Sequence, residues 1–354
     1  MSAFASAAGS PIIEPDALAE HVLDDFGISL DSMAQVFGGQ DSDAAVLHAV
    51  TGDGLPVAVK VSRNNRVGGL LAVALLAADI PAGIPAPLLA RSGKPYSVLG
   101  DRRISLTPWI AGATAYEAGM TADQWRAFGA LLSRVHATPV PDAIAAELPA
   151  EDFRTPAAAL ARDMDERIRE PAASGNPAGL HDSPTCRALI QEWRTARQCL
   201  TKILAHIDDL GDELRSRSTP SVLCHGDAHI SNVLLDRSDD VWLLDWDEVV
   251  LAPRERDLMF IIEGVLADAL VTAQQQAWFF DGYGPADVDP MHLAYYRCSW
   301  AVQDVADFAS RILTRPDGNS PEDWQGLRFF RSVVSPTGIV GLAVRSLREI
   351  GRVS

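Results

Sequence analysis

The chain is poor in lysine and cysteine, and it lacks any long apolar run. Lys60, Lys94 and Lys202 are the only lysines among 30 basic residues, and 47 acidic residues leave a formal net charge of −17. That balance speaks against nucleic acid, whose phosphates must be met by Lys and Arg. It speaks equally against an anionic membrane surface. It suits a cationic small molecule steered by a negative cleft, with plain solubility as the competing explanation. The four cysteines, Cys186, Cys199, Cys224 and Cys298, are widely spaced with no CxxC. They read as reduced, mostly buried thiols and not as a disulfide or zinc framework. The N-terminal MSAFASAAGSPIIEPD has no basic residue and does not fit a secretory signal. The longest charge-free apolar run, 67–78, is too short to span a bilayer. The expectation is a cytoplasmic protein with no nucleic-acid or membrane partner, its oligomeric state left open.

What the chain does have is material for a core. It is 354 residues long and 47% hydrophobic, which suits one large domain or two lobes. Residues 1–15 read as disordered. Apolar residues at Leu18, Val22, Leu23 and Phe26 repeat with a helical period. Three strands are expected at 33–37, 44–50 and 55–61, separated by turns at 38–43 and 51–54. A helix over 67–78 follows, then breaks at Pro81, Pro85 and Pro87, then strands near 88–91 and 103–109. Beyond Trp109 the pattern turns helical. Thr121 and Gln124 form a capping box, with Trp125, Phe128, Leu132 and Val135 on one face. Further helices are expected near 156–169, 184–217, 256–270, 272–282, 290–313 and 321–332. Strands with one helix, then a hinge, then a helical body make up an α+β, bilobal protein-kinase-like fold. Its small lobe is mainly antiparallel sheet and its large lobe mainly helical. The expected division is 16–108 for nucleotide binding and 109–354 for catalysis and substrate.

The most informative stretch is 222–248, VLCHGDAHISNVLLDRSDDVWLLDWDE. Phosphoryl transfer is mostly positioning and charge neutralisation. It needs a carboxylate beside the attacking hydroxyl and oxygen-bearing side chains on Mg²⁺. Asp227 and Asn232 keep the D-x4-N spacing of the kinase catalytic loop, with Gly226 where that loop has Arg. An acidic turn between strands is the alternative for that spacing taken alone. The full run of His225, Gly226, Asp227, Asn232, two strand-like segments and Asp245-Trp246-Asp247 is far harder to reach by chance. Asp227 is thus the candidate catalytic group, also touching substrate, and Asn232 and Asp245 are the candidate metal ligands. Asp247 would support the metal or the loop, and His225 would anchor the loop. Lys60 ends the strand Pro56-Val57-Ala58-Val59-Lys60, and no Lys or Arg precedes it. A strand lysine in a chain that otherwise prefers Arg points to a required ammonium, with an ordinary strand-end lysine as the bland alternative.

These residues together resemble the signature of the aminoglycoside phosphotransferase family, which shares the protein-kinase fold. Within it the chain is similar to the spectinomycin phosphotransferases, kinases of an aminocyclitol hydroxyl. The likeness is carried by DWDEVVLAPRERDLMF (245–260), DGYG (281–284), YYR (295–297) and TADQWRAFGALLSRVHATPVP (121–141). It runs from about Asp16 to Val344. It implies ATP (or GTP) and Mg²⁺ as cofactors. Lys60 would meet the α- and β-phosphates. Gly38, Gly39, Gln40, Asp41 and Ser42 would cover them with backbone N–H groups. Thr107 and Trp109, in RISLTPWI (103–110), would belong to the strand and hinge beside the base. Leu234 and Leu244 would pack under the base, with plain core leucines as the alternative. Glu263, Trp300 and Asp304 are the candidate substrate residues, and Arg256 and Asp257 read as structural ties.

The pattern departs in two places. The resemblance implies a helix glutamate pairing with Lys60, yet the matching positions are Gly68 and Gly69. No Asp or Glu stands between Lys60 and Asp79. Asp41 or Asp43 from the preceding loop could substitute. After YYR, where the spectinomycin enzymes carry further charged residues, this chain has Cys298, Ser299, Trp300 and Gln303, leaving Asp304 and Asp307. That implies a more aromatic, less acidic pocket. The expected activity is O-phosphorylation of an aminocyclitol or related cationic natural product. A metabolic kinase for choline, homoserine or a sugar is the enzyme alternative, and a nucleotide-binding pseudokinase is the non-enzyme one.

Overall fold

A computed structural model describes residues 13–36, 44–63, 66–80, 82–169, 180, 182–314 and 319–353. The chain forms two compact units, Met1–Pro149 with His225–Leu251, and Ala150–Cys224 with Ala252–Ser354. The element order is α1 (Pro15–Phe26), β1 (Leu30–Val36), β2 (Ala44–Thr51), β3 (Pro56–Ser62), α2 (Gly68–Asp79), β4 (Ser97–Leu99), β5 (Arg102–Pro108), β6 (Gly112–Thr114), α3 (Ala115–Ala118), α4 (Ala122–Ala137), α5 (Asp142–Ala145), α6 (Ala157–Arg169), α7 (Pro184–Arg215) and β7 (Val222–Cys224). There follow β8 (Val233–Asp236), β9 (Val241–Leu243), β10 (Val250–Ala252), α8 (Glu255–Leu258), α9 (Ala273–Tyr283), α10 (Pro290–Thr314), α11 (Pro321–Val334) and α12 (Ile339–Glu349).

The first unit holds an antiparallel sheet in the order β1-β2-β3-β5-β4. Strand side chains alternate between faces, and this alternation builds the site. Ala45, Leu47, Ala49, Val57, Val59, Val61, Ile104 and Leu106 are buried on one face with Leu18, Val22 and Phe26 of α1. Each large apolar side chain fully buried there contributes about 1.5–3 kcal/mol. The intervening residues face the other way. Val46, Lys60 and Ser105 form one cross-strand row, and His48, Ala58 and Thr107 the next. The three-stranded sheet β6-β8-β9 completes the unit. α4 packs on β9, and its capping box closes as Thr121 and Gln124 exchange hydrogen bonds.

The second unit is helical. α10 is its axis, with α6, α7, α8, α11 and α12 packed around it. Its first half, His292–Cys298, is buried on every face, and from Ala301 on one stripe is buried with Gln303, Asp307 and Arg311 exposed on the other. The stretch Pro321–Glu349 is apolar and long enough to cross a membrane. Here it is two helices, broken at Ser335–Gly338 and packed on α10.

Two expected elements are corrected. Residues 88–91 are not a strand: the Ala90 N–H closes a turn onto the Lys94 carbonyl at 2.8 Å. The edge place beside β5 goes to β4 instead. Pro85 and Pro87 lack the N–H a ladder needs. The helix expected over 256–270 is only the four residues of α8. Glu263 and Gly264 adopt left-handed backbone (φ 66° and 73°), which ends helical propagation, and the Val271 N–H closes on the Glu263 carbonyl. Among the described residues β4, β6, β7, β10, α3, α5 and α12 are additions to the expected elements.

Candidate functional site

The site in the first unit is a cavity of about 740 Å³ against the non-core face of the main sheet. That is ample for a cofactor-sized ligand. Lys60, Thr107, Trp109, Leu234, Leu244 and Asp245 all line it. The alternation above explains Lys60 and Thr107. Trp109 follows the end of β5, its N–H donating to the Pro56 carbonyl and its ring edge-on to His48 at 4.7 Å. Ile110 and Ala111 continue the lining. Leu234 comes from β8, and Leu244 directly follows β9. Gly38, Gly39, Gln40, Asp41 and Ser42 lie outside the described residues, as does Asp43.

Behind the cavity the loop 225–232 is tied to the acidic segment by its own hydrogen bonds. The Leu244 N–H donates to the Asn232 carbonyl at 2.8 Å. The fully buried His225 ring donates from Nε2 to the Leu244 carbonyl at 2.8 Å, so its Nδ1 accepts the Asp227 N–H at 3.2 Å. Trp246 packs edge-on to the same ring at 4.6 Å. Gly226 is required there. Its φ is +83°, and a Cβ would stand 2.0 Å from the Glu248 carbonyl oxygen.

Asp227 is held asymmetrically. Asn232 Nδ2 donates to its Oδ2 at 2.9 Å and to its carbonyl at 2.8 Å. His229 Nε2 approaches Oδ1 at 3.3 Å, but Oδ1 is buried with no hydrogen-bond donor. A buried acceptor without a hydrogen-bond partner needs a reason. With its Nδ2 committed to Asp227, Asn232 has its Oδ1 left as an oxygen ligand. Asp245, exposed and left-handed (φ 60°), offers a second. These hard oxygen donors fit Mg²⁺ and not a thiophilic metal.

Lys60 Nζ lies 2.6 Å from Asp247 Oδ2 and 3.4 Å from Asp245 Oδ1. Both pairs are partly exposed, so each is worth about 0.2–1 kcal/mol and orients more than it stabilises. Gly68 does not face Lys60. A Cβ there would meet the Glu147 carbonyl at 3.0 Å and Leu148 Cδ2 at 3.1 Å. An acid at that position would therefore not reach the lysine, contrary to the count along the sequence.

The candidate substrate residues belong to the second unit. Trp300 and Asp304 are half-buried one turn apart on α10. The Arg256 guanidinium lies over the Trp300 ring at 4.8 Å, and Phe260 packs edge-on to it. Glu263 is bound up with two cations. Arg345 donates to its Oε2 at 3.1 Å, and the buried Arg297 lies 3.7 Å from Oε1. Nearby, burial holds the Glu151 carboxyl above the usual carboxylate range, partly offset by the Phe153 N–H and Arg256.

Several lining residues were not singled out from sequence: Val46, Ala58, Val73, Ser105 and Arg237. Val46, Ala58 and Ser105 follow from Lys60 once strand register is known. Nothing local marks the others.

An antiparallel sheet bearing a cavity-lining lysine, joined to a D-x4-N loop and a second acidic segment, defines a phosphotransferase of the protein-kinase-like fold. The chain belongs to the phosphotransferase enzyme family, whose profile matches residues 38–291. It is similar to protein StrN of Streptomyces griseus, 26% identical over 290 residues covering 80% of this chain and 82% of that protein. The solved spectinomycin phosphotransferase APH(9)-Ia, in complex with ADP and spectinomycin, is 25% identical with a TM-score of 0.81, covering 94% of this chain and 98% of that one. The fold is shared more distantly with an amicoumacin kinase, 14% identical with a TM-score of 0.62 over 92% of this chain and 95% of that one.

Proposed function

We propose that the chain is an ATP- (or GTP-) and Mg²⁺-dependent O-phosphotransferase. Its acceptor is a hydroxyl of an aminocyclitol or aminoglycoside-type antibiotic, or a related cationic natural product. The observation that carries this is the partly buried Asp227 carboxylate, held by Asn232 on a loop bonded to the acidic segment. The hydroxyl sits at the Asp227 carboxylate and gives up its proton there as its oxygen takes the γ-phosphoryl group, and the nucleoside diphosphate leaves. Lys60 orients the α- and β-phosphates, and Thr107, Trp109, Leu234 and Leu244 hold the base. Gly38, Gly39, Gln40, Asp41 and Ser42 cover the phosphates. Mg²⁺, held by Asn232 and Asp245, neutralises phosphate charge when bound. Residues 16–108 serve the nucleotide, joined there by Trp109, Leu234 and Leu244, and the rest of 109–354 serves catalysis and acceptor, in a cytoplasmic enzyme.

Support for the acceptor class comes from the net charge of −17 and from the likeness to a spectinomycin phosphotransferase. Trp300 and Asp304 would meet the acceptor. Glu263, already balanced by Arg297 and Arg345, leaves the acceptor fewer carboxylates and favours a second reading, a metabolic kinase for choline, homoserine or a sugar. A panel of aminocyclitols, aminoglycosides, choline, homoserine and sugars, scored by Mg²⁺-dependent ADP release, separates the two. Turnover on aminocyclitols supports the first reading, and turnover confined to the metabolites replaces it with the second. ATP binding without turnover on any acceptor fits a pseudokinase.

A further inference from the structure

A strand lysine reaches phosphate on a flexible four-carbon stem, so a fixed carboxylate is needed to hold its ammonium in place. The helix after Lys60 supplies none, since no Asp or Glu occurs between Lys60 and Asp79. Instead its first turn, Gly68-Gly69, closes on the acidic segment. A Cβ at Gly69 would stand 2.2 Å from the Trp246 carbonyl oxygen and 3.6 Å from the Asp247 nitrogen. Helix and segment therefore meet main chain to main chain, and only glycine permits that approach. Of the two acids there, Asp247 is the more buried and the nearer to Lys60, at 2.6 Å against 3.4 Å for Asp245.

We propose that Asp247 is the positioning residue for Lys60, and that Gly69 is what lets α2 seat the backbone that carries it. The inference rests on the nucleotide reading above. It divides labour between the two acids: Asp245 is left for the metal and Asp247 holds the lysine. Phosphate lysine and metal ligand are then fixed by one three-residue segment. In protein kinases that coupling runs through a helix whose position is regulated.

Two measurements test this on the full chain. The first needs no nucleotide. Only three lysines are present, so ¹³C-lysine labelling gives a spectrum in which Lys60 is assigned by its loss in Lys60→Met. Asp247→Asn should move the Lys60 Cε signal and leave Lys94 and Lys202 in place. Asp247→Glu should restore it in part, and Gly69→Ala should move it as well. An unmoved Lys60 signal in Asp247→Asn overturns the proposal. The second is a double-mutant cycle on ATP affinity. Asp247→Asn should weaken binding roughly two- to five-fold, the scale of a partly exposed ion pair. That loss should disappear in the Lys60→Met background, with no change in the Mg²⁺ concentration needed for half-maximal binding. A loss that persists without Lys60, or a raised Mg²⁺ requirement, makes Asp247 a metal ligand and overturns the proposal. Wild-type protein that binds no nucleotide while the lysine signal still responds would sink the kinase reading and leave only the pairing.

Discussion

Gly226 stands where the kinase loop has arginine, and Gly226→Ala is the sharpest local perturbation of the site. Two costs arise. The residue sits at φ +83°, where a Cβ costs about 1–2 kcal/mol. The new Cβ would also lie 2.0 Å from the Glu248 carbonyl oxygen and 2.8 Å from its carbon. Such atoms do not approach within about 3 Å, so loop or segment must move by roughly 1 Å. The dihedral cost is small beside a domain stability of about 5–15 kcal/mol, so the protein should stay folded. The displacement falls on the residue next to Asp227, where a 1 Å error costs about 100-fold in rate. The expected outcome is intact far-ultraviolet circular dichroism, a modest fall in Tm and a loss of kcat of about two orders of magnitude. Steady-state ADP release and thermal unfolding measure both. Gly226→Asn separates the causes, because Asn tolerates left-handed backbone but keeps the Cβ. Turnover of Gly226→Ala within two-fold of wild type would refute the reasoning.

Removing divalent metal with EDTA should abolish transfer and Mg²⁺ should restore it, while Asn232→Ala and Asp245→Ala should each raise the Mg²⁺ concentration for half-maximal rate. An unchanged requirement in both would remove them as ligands. Trp300→Ala should raise the acceptor KM and spare nucleotide affinity, and an unchanged acceptor KM would take Trp300 out of the acceptor site. Glu151 has a folded pKa raised by burial above 4.5, so its favourable contribution is complete below that value and is lost as pH rises through the folded pKa. Gln keeps the oxygen that accepts the Phe153 N–H at 2.6 Å. The Tm advantage of Glu151→Gln over wild type should therefore grow from about pH 4 to about pH 7. An advantage that is flat or shrinks over that range would contradict the assignment.

Periodicity and capping made α1, β2, β3, α4, α7 and α10 legible in the sequence, because burial on one face leaves a repeat. Where backbone conformation decides, the pattern misled. The helix expected after Pro253 ends at Leu258, and the turns that follow it meet a left-handed Glu263, a residue type with no turn preference to betray it. α12 carries a helical repeat of buried residues at Ile339, Leu342, Ala343, Ser346 and Leu347 that was there to be read, and its start at Gly338 lies against the Ser332 and Val333 carbonyls just upstream. The sheet face bearing Lys60 and Thr107 follows from alternation, but the partner of Lys60 does not. Counting along the helix pointed to Gly68, whereas among the described residues the carboxylate at 2.6 Å is that of Asp247, 187 residues away. The return of 225–251 to the first unit explains this: it brings the acidic segment to the cavity through hydrogen bonds at Leu243, Leu244 and His225, which leave no local signature.

Asp227 carries the central claim, and Asp227→Asn with the best acceptor from the panel tests it most directly. Asparagine keeps the shape and removes the proton acceptor. In a single-turnover reaction with Mg²⁺ and γ-labelled ATP, wild type should move the label to the acceptor. Asp227→Asn should bind ATP with wild-type affinity and transfer it at least about 100-fold more slowly. Transfer at the wild-type rate by the mutant would contradict the account.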